Sequence, residues 1–196
     1  MPKIVDHDKQ RVLVAEAAWR IIRRDGMEQA SVRNIAEEAG ISVGSMRHYF
    51  STQSELLRYA MNLVSERVSN RIQQMSFTGS PLDNMKCLLL ELLPNTDEKL
   101  AEMEVWYAFT ARSKTDSTLK ELADTVYDEL RQAVSYVITH LNEHDLTQPD
   151  LDIGLEIERL YALVDGLGIH TVLRPDKMNA KLMDDVLTLH LASLCR

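Results

Sequence analysis

Apolar residues recur along almost the whole chain at the three- and four-residue spacing of amphipathic helices. Near the start, Val12, Ala15, Trp19 and Ile22 follow one another at spacings of three, four and three residues, which places them on one helix face. Similar runs fill the rest of the chain between glycine, proline and N-capping residues. The pattern predicts an all-α protein of about nine helices: about residues 7–24, 32–39, 43–49, 52–75, 81–93, 97–113, 117–143, 150–173 and 178–194.

Capping residues mark several of these helix ends. Gly26 follows the first helix, and glycine readily adopts the left-handed conformation of a C-terminal cap. Ser31 and Ser42 each offer an N-cap hydroxyl to a short helix that follows. Thr52 and Glu55 fit the capping-box pattern and start the long fourth helix.

The charge of the chain is distributed unevenly. The 196 residues contain 22 Lys and Arg against 30 Asp and Glu, a formal net charge of −8. Up to residue 70 the balance is 10 against 9, and beyond it 12 against 21. We therefore expect contact with a polyanion only in the N-terminal third. The predicted domains are residues 1–52 and residues 53–196, connected by the helix at 52–75.

Composition excludes several classes of protein. An apolar content of 45% with only 7 Gly and 5 Pro excludes disorder and collagen-like repeats. Cys87 and Cys195 are too few and too distant for a disulfide framework. The start lacks the apolar run of a signal peptide, and no stretch of roughly 18 uncharged apolar residues occurs. We expect a cytoplasmic protein and, without phosphate-loop, dinucleotide or serine-hydrolase signatures, no enzyme, cofactor or metal.

The second and third predicted helices have the layout of a helix-turn-helix, in which the second helix enters the DNA major groove. A small apolar core is available to pack them: Ile35, Ala36, Ala39, Ile41 and Phe50. Polar side chains project from the other side of the segment: Ser42, Ser45, Arg47, His48 and Tyr49. Such side chains suit contacts with base edges and phosphates, so this segment is predicted to bind DNA.

The sequence of residues 8–60 closely resembles the DNA-binding domain of the TetR family of one-component transcriptional regulators. The similarity is densest in GMEQASVRNIAEEAGISVGSMRHYF at 26–50, followed by ELL at 55–57. The resemblance implies base contacts from the third helix, by Val43, Ser45, Met46 and His48. It implies phosphate contacts from the second helix, by Ser31 and Arg33. Arg47 suits a bidentate contact with guanine or a phosphate.

Two positions depart from the family pattern. Most members carry Tyr where this chain has Arg47, and commonly a phosphate-binding Lys where it has Gln53. Gln53 can hydrogen-bond a phosphate without adding charge, and nearby basic residues could compensate: Lys3, Lys9 and Arg11. Structural roles stay open as well, because Arg33 could pair with Glu37 and Tyr49 could belong partly to the core.

The region of about residues 80–194 resembles the ligand-binding domain of the choline-sensing BetI-like and PksA-like subgroup. The resemblance rests on WYAFTAR at 106–112, Leu119, Tyr127, ALVDGL at 162–167 and LRP at 173–175. It implies a small-molecule effector without specifying which one.

Candidate ligand residues are aromatic or flexible side chains within apolar stripes. Met103, Trp106, Tyr107 and Thr110 recur at near-helical spacing and suit an apolar or cationic small molecule, with Tyr127 on the next helix. Ordinary core packing explains this pattern equally well.

Asp165 lies in an otherwise apolar helix and is the sixth ligand candidate. We expect it to be buried, and a buried carboxylate needs a partner. It could cap Arg112, pair with Arg159 or Arg174, or bind a cationic effector; the shared Asp-Gly of the subgroup favours a structural role.

The last two predicted helices are apolar on more than one face, which is typical of a helix with two neighbours. Gly166 and Gly168 are poor helix formers, and close helix approach is one reason to tolerate them. We predict a four-helix interface between two copies, with a core hairpin in a monomer as the alternative. The expected interface residues are Leu160, Val164, Leu167, Thr171, Leu182, Val186, Leu187 and His190.

One short motif is typical of a different class of protein, the zinc peptidases. His140, Glu143 and His144 spell H-x-x-E-H, the pattern of inverted zincins. They fall in the last turn of a predicted helix, where cationic side chains interact favourably with the helix dipole, and no downstream glutamate ligand is evident. We therefore predict no zinc site.

Together these observations predict a homodimeric TetR-type repressor that binds palindromic double-stranded operator DNA and is released by a small-molecule effector, without a membrane partner. The alternative is a helical ligand-binding or interaction protein that has lost sequence-specific DNA binding. The acidic C-terminal region and Gln53 favour this alternative, whereas the intact segment 31–50 opposes it.

Overall fold

The computed structural model describes residues 7–196. Within this range, nine α-helices follow one another: α1 (His7–Asp25), α2 (Val32–Glu38), α3 (Val43–Met46), α4 (Gln53–Gln73), α5 (Pro81–Glu91), α6 (Asp97–Ser113), α7 (Ser117–Glu143), α8 (Ile153–Leu173) and α9 (Ala180–Leu194). A 3-10 turn at Met27–Gln29 precedes α2, and Thr147 and Cys195 form an isolated antiparallel bridge. The predicted all-α fold is confirmed. None of the helices in the described range is long and apolar enough to cross a membrane.

The predicted caps are present. The Ser31 hydroxyl accepts the N–H of Asn34, and the Ser42 hydroxyl accepts the N–H of Ser45. At the start of α4, the Thr52 hydroxyl accepts the N–H of Glu55 at 3.0 Å. Gly26 has a φ of +89°, a left-handed backbone conformation that residues with a Cβ atom adopt only with strain.

Two helix bounds differ from the prediction by three residues. α3 ends at Met46 instead of continuing to residue 49, because His48 and Tyr49 donate their N–H groups to carbonyls only three residues back. These tighter bonds turn the chain out of the α-helix. α8 begins at Ile153 instead of about 150, because the Asp152 side chain caps it by accepting the N–H of Leu155.

The chain divides by packing into two units. One comprises Met1–Arg67 with Glu104–Ala123, of which residues 1–6 lie outside the described range, and the other Val68–Met103 with Asp124–Arg196. Helices α4, α6 and α7 each contribute residues to both units. This division is separate from the sequence boundary predicted between residues 52 and 53, which stays a prediction.

In the first unit, side chains of α1 contact α4. The indole N–H of Trp19 donates to the carbonyl of Ala60 at 2.9 Å, and the Arg67 guanidinium lies over the Trp19 ring. Arg67 also pairs with Glu16. Of the small core predicted around the helix-turn-helix, Ile35, Ala36 and Phe50 are buried and Ala39 and Ile41 are half-buried.

The second unit has an apolar core supplied by α5, α7, α8 and α9. Its buried members are Met85, Leu88, Leu89, Leu93, Val134, Val137, Ile138, Leu141, Ile157, Leu160, Val164, Leu167, Met183, Leu187, Leu191 and Leu194. At its edge the buried carboxylate of Glu102 receives two hydrogen bonds from Arg71, whose Nε also binds Glu91. The charge-assisted bonds to Glu102 raise the pKa of Arg71 and offset the burial of the carboxylate.

Candidate nucleic-acid interface and effector site

The segment from Ser42 to Phe50 presents a polar surface on a small apolar anchor. The side chains of Ser42, Val43, Ser45, Arg47 and His48 are exposed, and Tyr49 is half-buried. The hydroxyls of Ser42 and Ser45 lie 3.0 Å apart in a hydrogen bond. The structure therefore brings together, on one accessible surface, most of the residues predicted to contact DNA from α3.

Met46 is an exception and corrects one predicted base contact. Only 1% of the Met46 surface is exposed, and Phe50 is also buried. A side chain enclosed by its own unit cannot reach a base edge. Met46 instead packs into the core of its own unit and so anchors α3. Its neighbours in sequence, Ser45 and Arg47, are exposed.

The predicted phosphate contacts occupy different surroundings. Arg33 is exposed on α2, and within the described residues it forms no ion pair with Glu37. Ser31 is half-buried and serves as the α2 cap. The side-chain amide of Gln53 donates to the carbonyl of Ala30 at 2.7 Å, which ties the start of α4 to the residue before α2.

The basic residues expected to compensate for Gln53 are not equivalent. Lys9 is exposed on α1, whereas Lys3 lies outside the described residues. The guanidinium of Arg11 lies over the rings of Phe50 and Tyr59, at 4.8 and 4.5 Å from their centroids. Arg11 is thus part of the packing between α1 and the end of the helix-turn-helix.

The six predicted ligand residues belong to both units. Met103, Tyr127 and Asp165 are in the second unit, and three are in the first: Trp106, Tyr107 and Thr110. The α6 side chains are half-buried. The Thr110 hydroxyl donates to the carbonyl of Trp106 one turn earlier, so this hydroxyl is used within α6.

Asp165 is exposed, which corrects the expectation that it is buried. The outward face of α8 carries it toward solvent, so no buried partner is required. The three arginines considered as partners make other contacts: Arg112 binds Glu28, Arg159 pairs with Glu156, and Arg174 donates to the carbonyl of Leu173.

An aromatic pair lies beside Asp165. The ring centroids of Tyr127 and Tyr161 are 5.1 Å apart with planes inclined by 48°. Burial, with the negative charge of Asp165 as the next cause, raises the pKa of Tyr161 to about 12. Tyr161 was missed by the sequence reasoning, although its position one turn before Asp165 on α8 was an available signal.

The predicted dimer residues point mostly into the core of their own unit. Leu160, Val164, Leu167, Thr171 and Leu187 are buried within the chain, so they are not available to a second copy. This part of the prediction is wrong, because both faces of α8 are apolar and periodicity alone did not tell which face is internal. Of the remaining three, Leu182 is exposed, and Val186 and His190 are half-buried.

The opposite faces of α8 and α9 carry exposed apolar side chains. On α8 they are Leu155, Ala162 and Leu173, with Gly166 and half-buried Ile169 on the same stripe. On α9 they are Leu182 and Leu189, with Val186 beside them. A Cβ atom placed on Gly166 would meet no atom within 4 Å, so packing inside the chain does not require glycine there.

His190 lies beside this outward face of α9. Its Nε2 atom is buried and has no hydrogen-bond partner within the described residues. Burial, with a smaller effect of the nearby Arg159 charge, lowers the pKa of His190 to about 4. The imidazole is therefore neutral near pH 7.

The H-x-x-E-H residues lie on the outer side of α7. The rings of His140 and His144 are 4.1 Å apart, His140 also stacks on Tyr136, and Nδ1 of His144 contacts the carbonyl of His140 at 2.8 Å. A depression of about 470 Å³ runs along this face, lined by Asp128, Arg131, Gln132, Ser135, Tyr136, Thr139, His140 and Glu143. In the described part of the chain, no three His, Cys, Asp or Glu residues are arranged to hold a metal ion.

Comparison with protein families gives two matches. Residues 14–60 match the model of bacterial regulatory proteins of the tetR family. Residues 81–196 match the C-terminal model of BetI-type transcriptional repressors. The first match covers the helix-turn-helix, and the second covers α5 to α9.

Relatives match along nearly the full chain. The chain is 45% identical over 196 residues to the HTH-type transcriptional regulator PksA of Bacillus subtilis (strain 168), covering 100% of this chain and 94% of PksA. It is 28% identical over 187 residues to the HTH-type transcriptional regulator BetI of Serratia proteamaculans (strain 568), covering 91% and 89% of the two chains.

Solved structures share the fold. A TetR transcription regulator from Haloarcula marismortui ATCC 43049 matches with a TM-score of 0.83 and 19% identity, over 96% of this chain and 100% of the other. A transcriptional regulator from Saccharomonospora viridis, crystallised in complex with choline, matches with a TM-score of 0.81 and 22% identity, over 96% and 99%.

Proposed function

The chain belongs to the TetR family of DNA-binding transcriptional regulators, and we propose that it is a homodimeric repressor released from palindromic operator DNA by a small organic cation. It acts by binding alone, without catalysis, and we expect it in the cytoplasm, where its DNA is. The family match over the helix-turn-helix disfavours a protein that has lost DNA binding.

One observation carries the proposed DNA contact. Ser45, Arg47 and His48 are exposed beside one another, while Met46 and Phe50 anchor the same segment in the unit. A rigid anchor under exposed donors and acceptors suits base readout in the major groove. Arg33, exposed on α2, suits a phosphate contact that positions the protein.

The outward faces of α8 and α9 support the proposed dimer. Their exposed leucines lie on continuous helical stripes, and such apolar surface favours association. Gly166 adds to the argument, because glycine within a helix costs about 1 kcal/mol relative to alanine and no packing inside the chain requires it. Close approach of a partner helix would explain the residue. Two-fold symmetry then sets the half-sites about one helical turn apart, ~34–36 Å.

Three residues of the second unit support a cationic effector. The electron-rich ring faces of Tyr127 and Tyr161 attract cations, and the carboxylate of Asp165 adds negative charge beside them. The choline complex of the Saccharomonospora viridis protein makes choline the first compound to test. An effector of this kind acts through its different affinity for two dimer conformations, typically a coupling of ~1–3 kcal/mol.

Selection of bound duplexes from a random library tests the DNA contact, with sedimentation of the recovered complex. We expect a palindromic consensus held by an even number of chains. Absence of any enriched sequence at low salt contradicts the proposal, as does a complex with a single chain.

Calorimetric titration with choline tests the effector. Binding should weaken at least about tenfold in Asp165→Asn and Tyr161→Leu, as expected for a desolvated cation–π contact and its counter-charge. Asp176→Asn, an exposed carboxylate elsewhere on the unit, is the matched control. Binding that is equally strong in all variants contradicts this site.

A further inference from the structure

The orientation of the DNA-reading helix is not fixed by its own hydrogen bonds. α3 has four residues, and the chain then turns through residues 47–50. A single helical turn is unstable in isolation, because its few hydrogen bonds do not offset the cost of ordering the backbone. Contacts from other elements must therefore hold this segment in one position.

His7, the first residue of α1, contacts the turn after α3. Its Nε2 atom lies 3.4 Å from the backbone carbonyl of His48. Its ring centroid is 5.1 Å from that of Tyr49, with the planes inclined by 50°. The backbone of His48 is thus held by α1 while its side chain stays exposed.

Arg11 lies one turn further along the same face of α1 and contacts the next residues. Its guanidinium covers the ring of Phe50 and also that of Tyr59 from α4. A carboxylate oxygen of Glu55 lies 3.7 Å from the guanidinium and, with its second oxygen, Glu55 accepts the N–H of Ser51 at 2.8 Å. The contacts of His7 and Arg11 together cover consecutive residues from His48 to Phe50.

We infer that His7 and Arg11 are positioning residues for DNA recognition: they clamp residues 48–50 and thereby set where Arg47 and His48 point. The inference rests on the proposed operator binding but names residues outside the DNA-reading segment. Direct phosphate contact is the competing role of these two basic residues. The Nε of Arg11 is buried, and its charge faces two rings and Glu55, which favours the clamp.

Hydrogen exchange of the free protein tests the clamp without DNA. In the wild type, the N–H groups of residues 47–50 are bonded to carbonyls of Val43, Ser45 and Met46. We expect amides in a peptide spanning 43–52 to exchange at least about threefold faster in His7→Ala and in Arg11→Met, since local opening is easier. Peptides from α8 should be unchanged. His144→Ala, in the turn after α7, and Arg131→Met, on α7, alter exposed residues and are the matched controls.

DNA binding separates positioning from phosphate contact. The probes are the duplex enriched by the wild type and a shuffled duplex of equal composition. We expect His7→Ala and Arg11→Met to bind the enriched duplex at least about tenfold more weakly and the shuffled duplex within about threefold, with unchanged salt slopes. His7→Gln, which retains a donor for the His48 carbonyl, should recover part of the preference.

Two results overturn the inference. One is wild-type exchange across 43–52 in both variants. The other is an equal loss of affinity for both duplexes with a salt slope lower by about one, which identifies a direct phosphate contact. Because exchange is measured on free protein, it decides the clamp even if the wild type enriches no sequence, a result that contradicts the proposed function instead.

Discussion

The segment from Ser42 to Phe50 and the helices α8 and α9 illustrate two ways in which a sequence carries information. In the first, polar and apolar residues alternate in a short pattern, and all but one of the predicted α3 contacts are at least partly accessible. In the second, apolar residues surround the helix, and five of the eight predicted interface residues are internal. A pattern that is apolar on two faces identifies a buried helix but not which face meets which neighbour.

Leu187 and Leu189 offer the sharpest test of this comparison, because they lie two residues apart on α9. Leu187 is 0% exposed and Leu189 is 74% exposed. Leu187→Ala should lower the free energy of unfolding by about 2–5 kcal/mol, as truncations in a core do. Leu189→Ala should change the stability of the protomer by less than about 0.5 kcal/mol but raise the dissociation constant of the dimer. Denaturant unfolding and sedimentation of both variants measure these effects.

The opposite result would reassign the two faces of α9. If Leu189→Ala unfolds the chain as readily as Leu187→Ala while the association state is unchanged, the outward face is not an interface. Leu182 is also exposed on the outward face of α9, so Leu182→Ala serves as a second variant of that face.

The DNA-reading segment provides the next test. His48→Ala should reduce discrimination between the enriched duplex and its base-substituted variants by about 1–3 kcal/mol, since it removes the base contact proposed for this side chain. Arg33→Ala should weaken binding to every duplex alike and lower the salt slope by about one. Competition binding at several salt concentrations distinguishes them, and an exchange of the two profiles would reverse the assigned roles.

His190 connects the comparison to pH. Its pKa is about 4 in the folded chain against an ordinary 6.5. As the pH falls, this imidazole is therefore protonated in the unfolded chain before it is protonated in the folded chain. The contribution of the neutral imidazole to the free energy of unfolding is complete above about pH 6.5 and decreases by about 1–3 kcal/mol as the pH approaches 4. His190→Gln should flatten the dependence in this window. Urea unfolding at pH 7.5, 6, 5 and 4.5 measures the difference, and identical pH profiles would contradict the burial of this imidazole.

Much of the fold could be predicted because capping and periodicity act locally. Ser31, Ser42 and Thr52 start their helices as expected, since a hydroxyl bound to a backbone N–H two or three residues later needs no distant partner. The short length of α3 and the exposure of Asp165 could not, because both depend on tertiary packing. The contacts of His7 and Arg11 were missed for the same reason, because their partners are distant in sequence, whereas Tyr161 was missed although its spacing from Asp165 was an available signal.

Gln53 gives the smallest expected effect and tests how far family resemblance assigns a role. Its amide donates to the Ala30 carbonyl, so in this chain it holds the start of α4 against the residue before α2. Gln53→Lys should lose about 0.5–1.5 kcal/mol of stability with that hydrogen bond. The same change should strengthen DNA binding and steepen the salt slope by about one per protomer, because a charge is added at a position where the family resemblance implies a phosphate contact.

Gln53→Ala separates these two effects, since it removes the hydrogen bond without adding charge. We expect it to match Gln53→Lys in denaturant unfolding and the wild type in salt slope. A lysine variant with the wild-type salt slope would place residue 53 away from the phosphates. The charged phosphate contacts of the N-terminal unit would then come from Arg33 on α2 and Arg47 in the turn after α3. The role of this position would in that case be structural, because its side chain donates the hydrogen bond that joins α4 to Ala30.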